Sequence, residues 1–304
     1  MKKLLVTGAS GLLGASIVYE LNRYFEIYAV YNEHKIISRY AKYFKLDLTD
    51  KEMTEKVIET IKPDIIIHTA AMTNVDLCES KPELAKKANV EATGNIVDAC
   101  KKFNIKLIHI STDYVFDGEK GDYTELDKQN PVDVYAQTKC DAENIVNTLD
   151  NTLIIRTSIY GWNLQKKQSF VEWVLSTLRD EKEVPAITDQ KTSMIFVNDL
   201  AKIIKFMIHK NLKGIYNVAS QSPLSKYKVA LKTAAIFGLD QALIKPTTTE
   251  ELMKKVVWKA ERPKNTSLNI SKIEKLVKMP SFDESLDHMK KLENSYKKQF
   301  VDYA

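Results

Sequence analysis

Lys3-Leu4-Leu5-Val6-Thr7-Gly8-Ala9-Ser10-Gly11-Leu12-Leu13-Gly14 opens as an apolar strand, breaks into glycines and resumes as an amphipathic helical pattern. A chain that leaves a parallel strand, lets a pyrophosphate approach its backbone and starts a helix packed on the sheet has no room for side chains at three places. Gly8, Gly11 and Gly14 meet those needs, and Ser10, Leu12 and Leu13 lie between them. The start of the helix offers unpaired amides and the positive end of its dipole to phosphate. No Gly-Lys-Ser/Thr ending follows, which separates this loop from a P-loop.

The alternation continues down the chain. Ile17, Val18, Leu21 and Phe25 form an apolar stripe, and Ile27-Tyr28-Ala29-Val30 reads as a second strand. Asp47-Leu48-Thr49-Asp50 ends a short segment and caps a helix over 52–61. Strands over 64–68 and 107–111 flank a long helix over 85–103, and a helix carrying Lys139 runs to Leu149 before a strand at 152–156. Continuous apolar strands separated by helices predict an α/β fold, a doubly wound parallel (Rossmann) sheet covered on both faces. Beyond Arg156 the pattern loosens into an aromatic-rich helix (Phe170, Trp173, Leu178), a strand at 195–197, a helix through Met207 and a strand at 214–218. From Ser220 the chain is lysine-rich and helical, with turns at Pro223, Pro246, Pro263 and Pro280. This predicts a dinucleotide-binding domain from 1–160 and 194–219, and a smaller, mainly helical substrate lobe from 161–193 and 220–304.

Composition fits a globular enzyme: 304 residues, 44% hydrophobic and 28% charged, enough for a large core and too apolar for disorder. The net charge of +5 comes from scattered lysines, a solvated surface with mild attraction for anionic small molecules. No arginine-rich stripe interleaved with aromatics points to nucleic acid. Cys78, Cys100 and Cys140 lack metal-ligand spacing and read as free thiols of a reducing cytoplasm, so no metal is expected. Met-Lys-Lys-Leu-Leu-Val runs straight into the glycine loop, which a cleaved signal would discard, and no run reaches ~18 apolar residues. A cytoplasmic protein with no membrane partner is the expectation.

Tyr135 and Lys139 stand four residues apart, on one face of a helix. A phenol with a pKa of ~10 is a poor catalyst at neutral pH until a cation stabilises its phenolate, and Lys139 can supply that charge. Ser111-Thr112-Asp113-Tyr114-Val115-Phe116-Asp117-Gly118 follows a predicted parallel strand, where the ligand crevices of such sheets form. Tyr31-Asn32 ends the second strand, with His34, Lys35 and Arg39 after it; reading no carboxylate there, we expect NADPH, with NADH as the alternative.

The glycine loop, Ala70-Ala71-Met72-Thr73-Asn74-Val75-Asp76-Leu77-Cys78-Glu79, Asn89-Val90, the 111–118 stretch, the Tyr135/Lys139 pair and Arg156-Thr157-Ser158 resemble the extended short-chain dehydrogenases/reductases. Within them the chain is most similar to the dTDP-4-dehydrorhamnose reductase family, well over the first 160 residues and more faintly through Asp199-Leu200-Ala201 and 261–268. The resemblance implies a catalytic triad of Thr112, Tyr135 and Lys139. Hydride would reach C4 of a nucleotide-diphosphate sugar ketone, Tyr135 would give the proton, Thr112 would orient the oxygen, and Lys139 would hold the nicotinamide ribose. It implies that Asp47 and Leu48 lie by the adenine, that Ala70, Ala71 and Thr73 line the dinucleotide groove, and that Thr157 and Ser158 border the nicotinamide. Asn32 and Arg39 join the expected cofactor contacts, and Val75, Val115, Phe116, Trp162, Arg262 and Lys264 the expected substrate contacts. Each has a plainer alternative: Asp47 as a cap, the alanines as packing, Asn89 as a backbone bracket, Trp162 as core.

The chain also departs from the family. Thr192-Ser193-Met194 stands where a Pro-Thr pair is common, and Ile159 stands where a tryptophan often covers the sugar. The implied activity is conversion of dTDP-4-dehydro-L-rhamnose to dTDP-L-rhamnose, a precursor of cell-surface polysaccharide, with a homodimer among the expected assemblies. A second reading is a regulatory protein like the beta subunit of methionine adenosyltransferase. A third is an epimerase or dehydratase, for which Asp113 speaks and Tyr114, in place of a glutamate, speaks against.

Overall fold

A computed structural model describes residues 1–302. The opening stretch forms β1 (Lys3–Thr7) and α1 (Leu12–Leu21), followed by β2 (Glu26–Tyr31), β3 (Ile36–Ile37), β4 (Lys42–Lys45), α2 (Lys51–Ile61) and β5 (Ile65–His68). Then come α3 (Val75–Ser80), α4 (Pro82–Lys86), α5 (Ala92–Phe103), β6 (Lys106–Thr112), α6 (Val134–Val146) and β7 (Thr152–Tyr160). The remainder holds α7 (Phe170–Arg179), β8 (Val184–Ile187), β9 (Lys191–Thr192), β10 (Met194–Phe196), α8 (Val197–His209), β11 (Gly214–Asn217) and β12 (Leu224–Ser225). It ends with α9 (Lys226–Phe237), β13 (Ile244–Thr247), α10 (Thr249–Met253), α11 (Ser271–Glu274), α12 (Phe282–Leu292) and β14 (Val301–Asp302).

The main sheet runs β10-β7-β6-β5-β1-β2-β4, with every pairing parallel, and β11 shares the β7 edge with β10. Alternate side chains of β1 show why its strands read as continuous apolar runs. Leu4 and Val6 join the core beneath α1 and α8, whereas Leu5 joins a second core beneath α2 and α5. The strand order reverses beside β1, and there a doubly wound sheet opens its crevice.

Two expectations change. The helix predicted over 85–103 is α4 and α5 joined by a π-helical turn, Lys87–Glu91. That turn carries the buried Asn89, whose amide brackets Met72: Oδ1 accepts from Met72 N at 2.7 Å and Nδ2 donates to Met72 O at 3.1 Å. The segments outside the main sheet are also less helical than expected, because β8 pairs with β13 and β9 with β12. Strands of two to four residues are too short to show a period.

Candidate active site

A cleft of about 1060 Å³ lies at the C-terminal ends of β1, β2, β5, β6 and β7. Its floor begins at the glycine turn. Gly8 has φ +63°, and a Cβ there would stand 2.8 Å from the Ala70 backbone; one on Gly14 would stand 2.2 Å from the Gly8 carbonyl oxygen. Glycine is therefore dictated at both positions by close approach of backbone to backbone. At the N-cap Gly11 no side chain satisfies the first amides of α1, which leaves them to a ligand.

Gly8, Ser10, Gly11, Leu12, Leu13, Asn32, Asp47, Leu48, Ala70, Ala71 and Thr73 all line this cleft. Asp47 is also a turn residue, its Oδ1 accepting from Thr49 N at 2.9 Å. Gly14 lies behind the wall, where it lets α1 pack. Arg39 is not on the wall either; its guanidinium lies over the Tyr40 ring at 5.4 Å. The tally of charges after β2 also needs correcting: Glu33 lines the cleft between Asn32 and His34, so a carboxylate does stand there.

Thr112 ends β6 and Tyr135 lies in the first turn of α6, whose start is fixed by Asp133 Oδ1 accepting from Ala136 N at 2.7 Å. One turn later comes Lys139, and all three residues line the cleft. Lys139 is buried; its ammonium donates to Ile110 O at 2.8 Å and lies 3.1 Å from His109 Nε2. Burial pulls its pKa down to about 8, opposed by the Glu143 carboxylate. Burial likewise raises the Tyr135 phenol above its ordinary value, with the neighbouring Thr112 hydroxyl opposing. In this arrangement desolvation governs Tyr135 and outweighs any acidification of the phenol by Lys139, whose ammonium bonds to β6. The phenol stays protonated at neutral pH, the form a proton donor needs.

Behind these groups are polar contacts that sequence reasoning did not find. Asp113 is buried; its Oδ2 accepts from Thr192 Oγ1 at 2.9 Å and Thr266 Oγ1 at 2.5 Å, and its Oδ1 from Thr112 Oγ1 at 3.2 Å. Burial raises its pKa, and those hydroxyls oppose the rise. Deeper still, Arg156 Nη2 meets Glu143 Oε2 at 2.7 Å with both side chains almost fully buried, and Ser111 Oγ donates to the same carboxylate. His109 and His68 are buried beside each other and held neutral, their pKa values depressed by burial and by Lys139.

Of the expected substrate contacts, Val75 lines the cleft, as do the predicted nicotinamide neighbours Thr157 and Ser158. Val115 and Phe116 are fully buried in the core, Phe116 stacked on Tyr123 at 4.2 Å. Trp162 is core too, donating Nε1–H to Met289 O at 2.9 Å, so it does not cover a sugar. Arg262 is paired with Asp76 at 2.9 Å, and Lys264 contributes its carbonyl to Lys191 N; neither lines the cleft. The wall instead takes Tyr114, from the 111–118 stretch, and Gln165, Lys167, Phe170 and Lys226, from segments whose local sequence carries no ligand signal. Among the described residues no cluster suited to a metal ion is present, and no helix is long and apolar enough to cross a membrane.

Comparison with known proteins adds to this geometry. The RmlD substrate binding domain family matches residues 1–294. The chain is similar to the structure of dTDP-4-dehydrorhamnose reductase from Bacillus anthracis in complex with NADP, with 30% identity, a TM-score of 0.84 and coverage of 95% of this chain and 99% of that one. It is 32% identical to the probable low-salt glycan biosynthesis reductase Agl14 of Haloferax volcanii, over 88% of this chain and 90% of the relative. It is also 30% identical to the rat methionine adenosyltransferase 2 subunit beta, over 90% of this chain and 82% of that one. The chain thus belongs to the RmlD substrate binding domain family, as an oxidoreductase of the dTDP-4-dehydrorhamnose reductase type.

Proposed function

We propose that this chain reduces the C4 ketone of a nucleotide-activated deoxysugar with NADPH, taking dTDP-4-dehydro-L-rhamnose to dTDP-L-rhamnose. The observation that carries the reading is that Thr112, Tyr135 and Lys139 line the same cleft as the glycine turn.

The residues present fit a dinucleotide. Gly8, at φ +63° on the cleft floor, and Gly14, behind it, let the turn and α1 close up with no side chain in the cradle, and the buried Thr157 hydroxyl on the wall has no partner within the protein. The α1 amides would hold the pyrophosphate, Asp47 and Leu48 would border the adenine, and Lys139 would hold the nicotinamide ribose. When bound, the nicotinamide supplies the hydride. Tyr135 gives its phenolic proton to the ketone oxygen, Thr112 orients that oxygen, and the Lys139 ammonium stabilises the phenolate left behind. Neutral His109, with Nε2 facing the ammonium, adds no competing charge. We further propose that residues 1–160 and 194–219 bind the dinucleotide and that the remainder forms most of the sugar-nucleotide site, which Val75 joins from the dinucleotide-binding part.

The test is NADPH consumption with the ketosugar, followed by chromatography of the product. Cofactor binding without turnover across several nucleotide-sugar ketones would instead favour the regulatory reading, which the similarity to the rat subunit supports.

A further inference from the structure

The segment between β7 and α7 crosses the cleft. Its base is pinned: Ser169 Oγ donates to Gly161 O at 2.8 Å and accepts from Gly161 N at 3.3 Å. Ser169 is also the N-cap of α7, in a reciprocal capping box with Glu172, so the end of the loop is fixed to a helix. Closed at its base like an Ω-loop, the segment projects Asn163 to Gln168 as a tip. Asn163 Oδ1 accepts from Gln165 N at 3.1 Å, a local turn that aims the next side chains. Gln165 Nε2 then donates to the carbonyl of Ser10 in the glycine turn at 3.0 Å, and Lys167 Nζ donates to Thr73 Oγ1, after β5, at 3.0 Å. The tip therefore touches both banks of the nucleotide groove.

Each contact is a single hydrogen bond to an uncharged oxygen. The Lys167 ammonium forms no ion pair among the described residues, yet it lines a cleft that also contains the unpaired amides of α1. A phosphate oxygen is a far better partner for an ammonium than a neutral hydroxyl. Gln165 on the glycine turn places the loop above that same phosphate position.

We propose that this loop is a clasp over the pyrophosphate of the bound dinucleotide, with Lys167 exchanging the Thr73 hydroxyl for a phosphate oxygen while Gln165 ties the loop to the glycine turn. The proposal rests on the dinucleotide reading above and adds binding residues to it.

The test compares the full-length protein with Lys167→Met, Gln165→Ala and the neighbouring control Lys166→Met. Affinity is titrated with NADPH and with adenosine 2′-monophosphate, which carries neither phosphate of the pyrophosphate, and NADPH dissociation is followed by stopped flow. The expected result is NADPH affinity weaker on the order of tenfold and faster dissociation for Lys167→Met, with adenosine 2′-monophosphate affinity and melting temperature unchanged. Gln165→Ala should quicken dissociation in the same way, and Lys166→Met should match the wild type. Equal NADPH affinity and dissociation in wild type and Lys167→Met would overturn the clasp, as would equal weakening toward both ligands. A wild-type protein that binds neither ligand would instead overturn the dinucleotide reading itself.

Discussion

Lys139 should make the reductase lose activity as the pH rises through about 8. Its ammonium is buried, held by one carbonyl and one imidazole nitrogen, and burial has brought its pKa from 10.5 to about 8. The groups around it do not titrate in that range: His109 and His68 are already neutral, and the Tyr135 phenol is raised. With one group losing one proton, the active fraction falls about tenfold between pH 7 and pH 9. Unfolding does not mimic this. A lysine whose folded pKa is depressed adds stability as pH rises from about 8 toward its unfolded value. Against it, the buried thiols of Cys78, Cys100 and Cys140, raised to about 11, 12 and 12, begin to subtract stability near their unfolded value of 9.0. The two effects are of similar size up to pH 9, so stability stays near level while the rate drops. The assay is initial rate at saturating NADPH and sugar across that range, with urea midpoints at each pH. Lys139→Arg supplies the control, since a guanidinium keeps its charge: the rate should be lower but the decline absent. A flat wild-type profile, or the same decline in Lys139→Arg, would refute the reasoning.

Other outcomes follow from the same geometry. Tyr135→Phe removes the proton donor alone, so turnover should fall on the order of 10²- to 10⁴-fold with NADPH affinity within about twofold; steady-state rates beside a binding titration check it. Gly14→Ala places a Cβ 2.2 Å from the Gly8 carbonyl oxygen and should cost about 1–3 kcal/mol, with weaker NADPH binding, read by melts with and without cofactor. Glu143→Gln leaves the buried Arg156 guanidinium without its counter-charge, worth roughly 3–5 kcal/mol and a melting temperature lower on the order of 10 °C. Pairing Glu143→Leu with Arg156→Met should recover part of that loss, and a single-variant cost below about 1 kcal/mol would mean the pair contributes little.

The sequence was most legible where backbone geometry restricts residue type. Gly8 and Gly14 could be read because a Cβ at either position collides with backbone, and the apolar runs of β1, β5 and β6 because both faces of a parallel sheet are covered. Spacing also placed Tyr135 and Lys139 together, since an α-helix fixes which side chains share a face. It misjudged side chains whose direction depends on packing. Val115 and Phe116 come three and four residues after Thr112, yet the 3₁₀ turn Asp113–Val115 sends them into the core while Tyr114 faces the cleft. Trp162 has an indole that suits a sugar and a core equally, and only the Met289 carbonyl decides between them. Gln165, Lys167 and Lys226 reach the cleft from segments that no local pattern connects to it. The sign of the Tyr135 shift was inaccessible for the same reason: it depends on where the Lys139 ammonium points and on how much water the phenol has lost.

That sign bears on how the two active-site hydroxyls divide their work. Thr112 has a single hydrogen, and it goes to Asp113 Oδ1 at 3.2 Å while the same oxygen accepts from Tyr114 N at 3.2 Å. A ketone oxygen entering the site can only accept, so in this arrangement Tyr135, still protonated, is the hydroxyl with a hydrogen to give. Thr112 can turn its hydrogen to the substrate only by releasing Asp113. That release takes the hydroxyl from Oδ1 of the buried carboxylate, while Thr192 and Thr266 keep their bonds to the other oxygen and hold the carboxylate in place. The threonine at 192, part of the chain's departure from the family pattern, therefore bears on how freely Thr112 can orient the substrate, although it lies 80 residues along the chain.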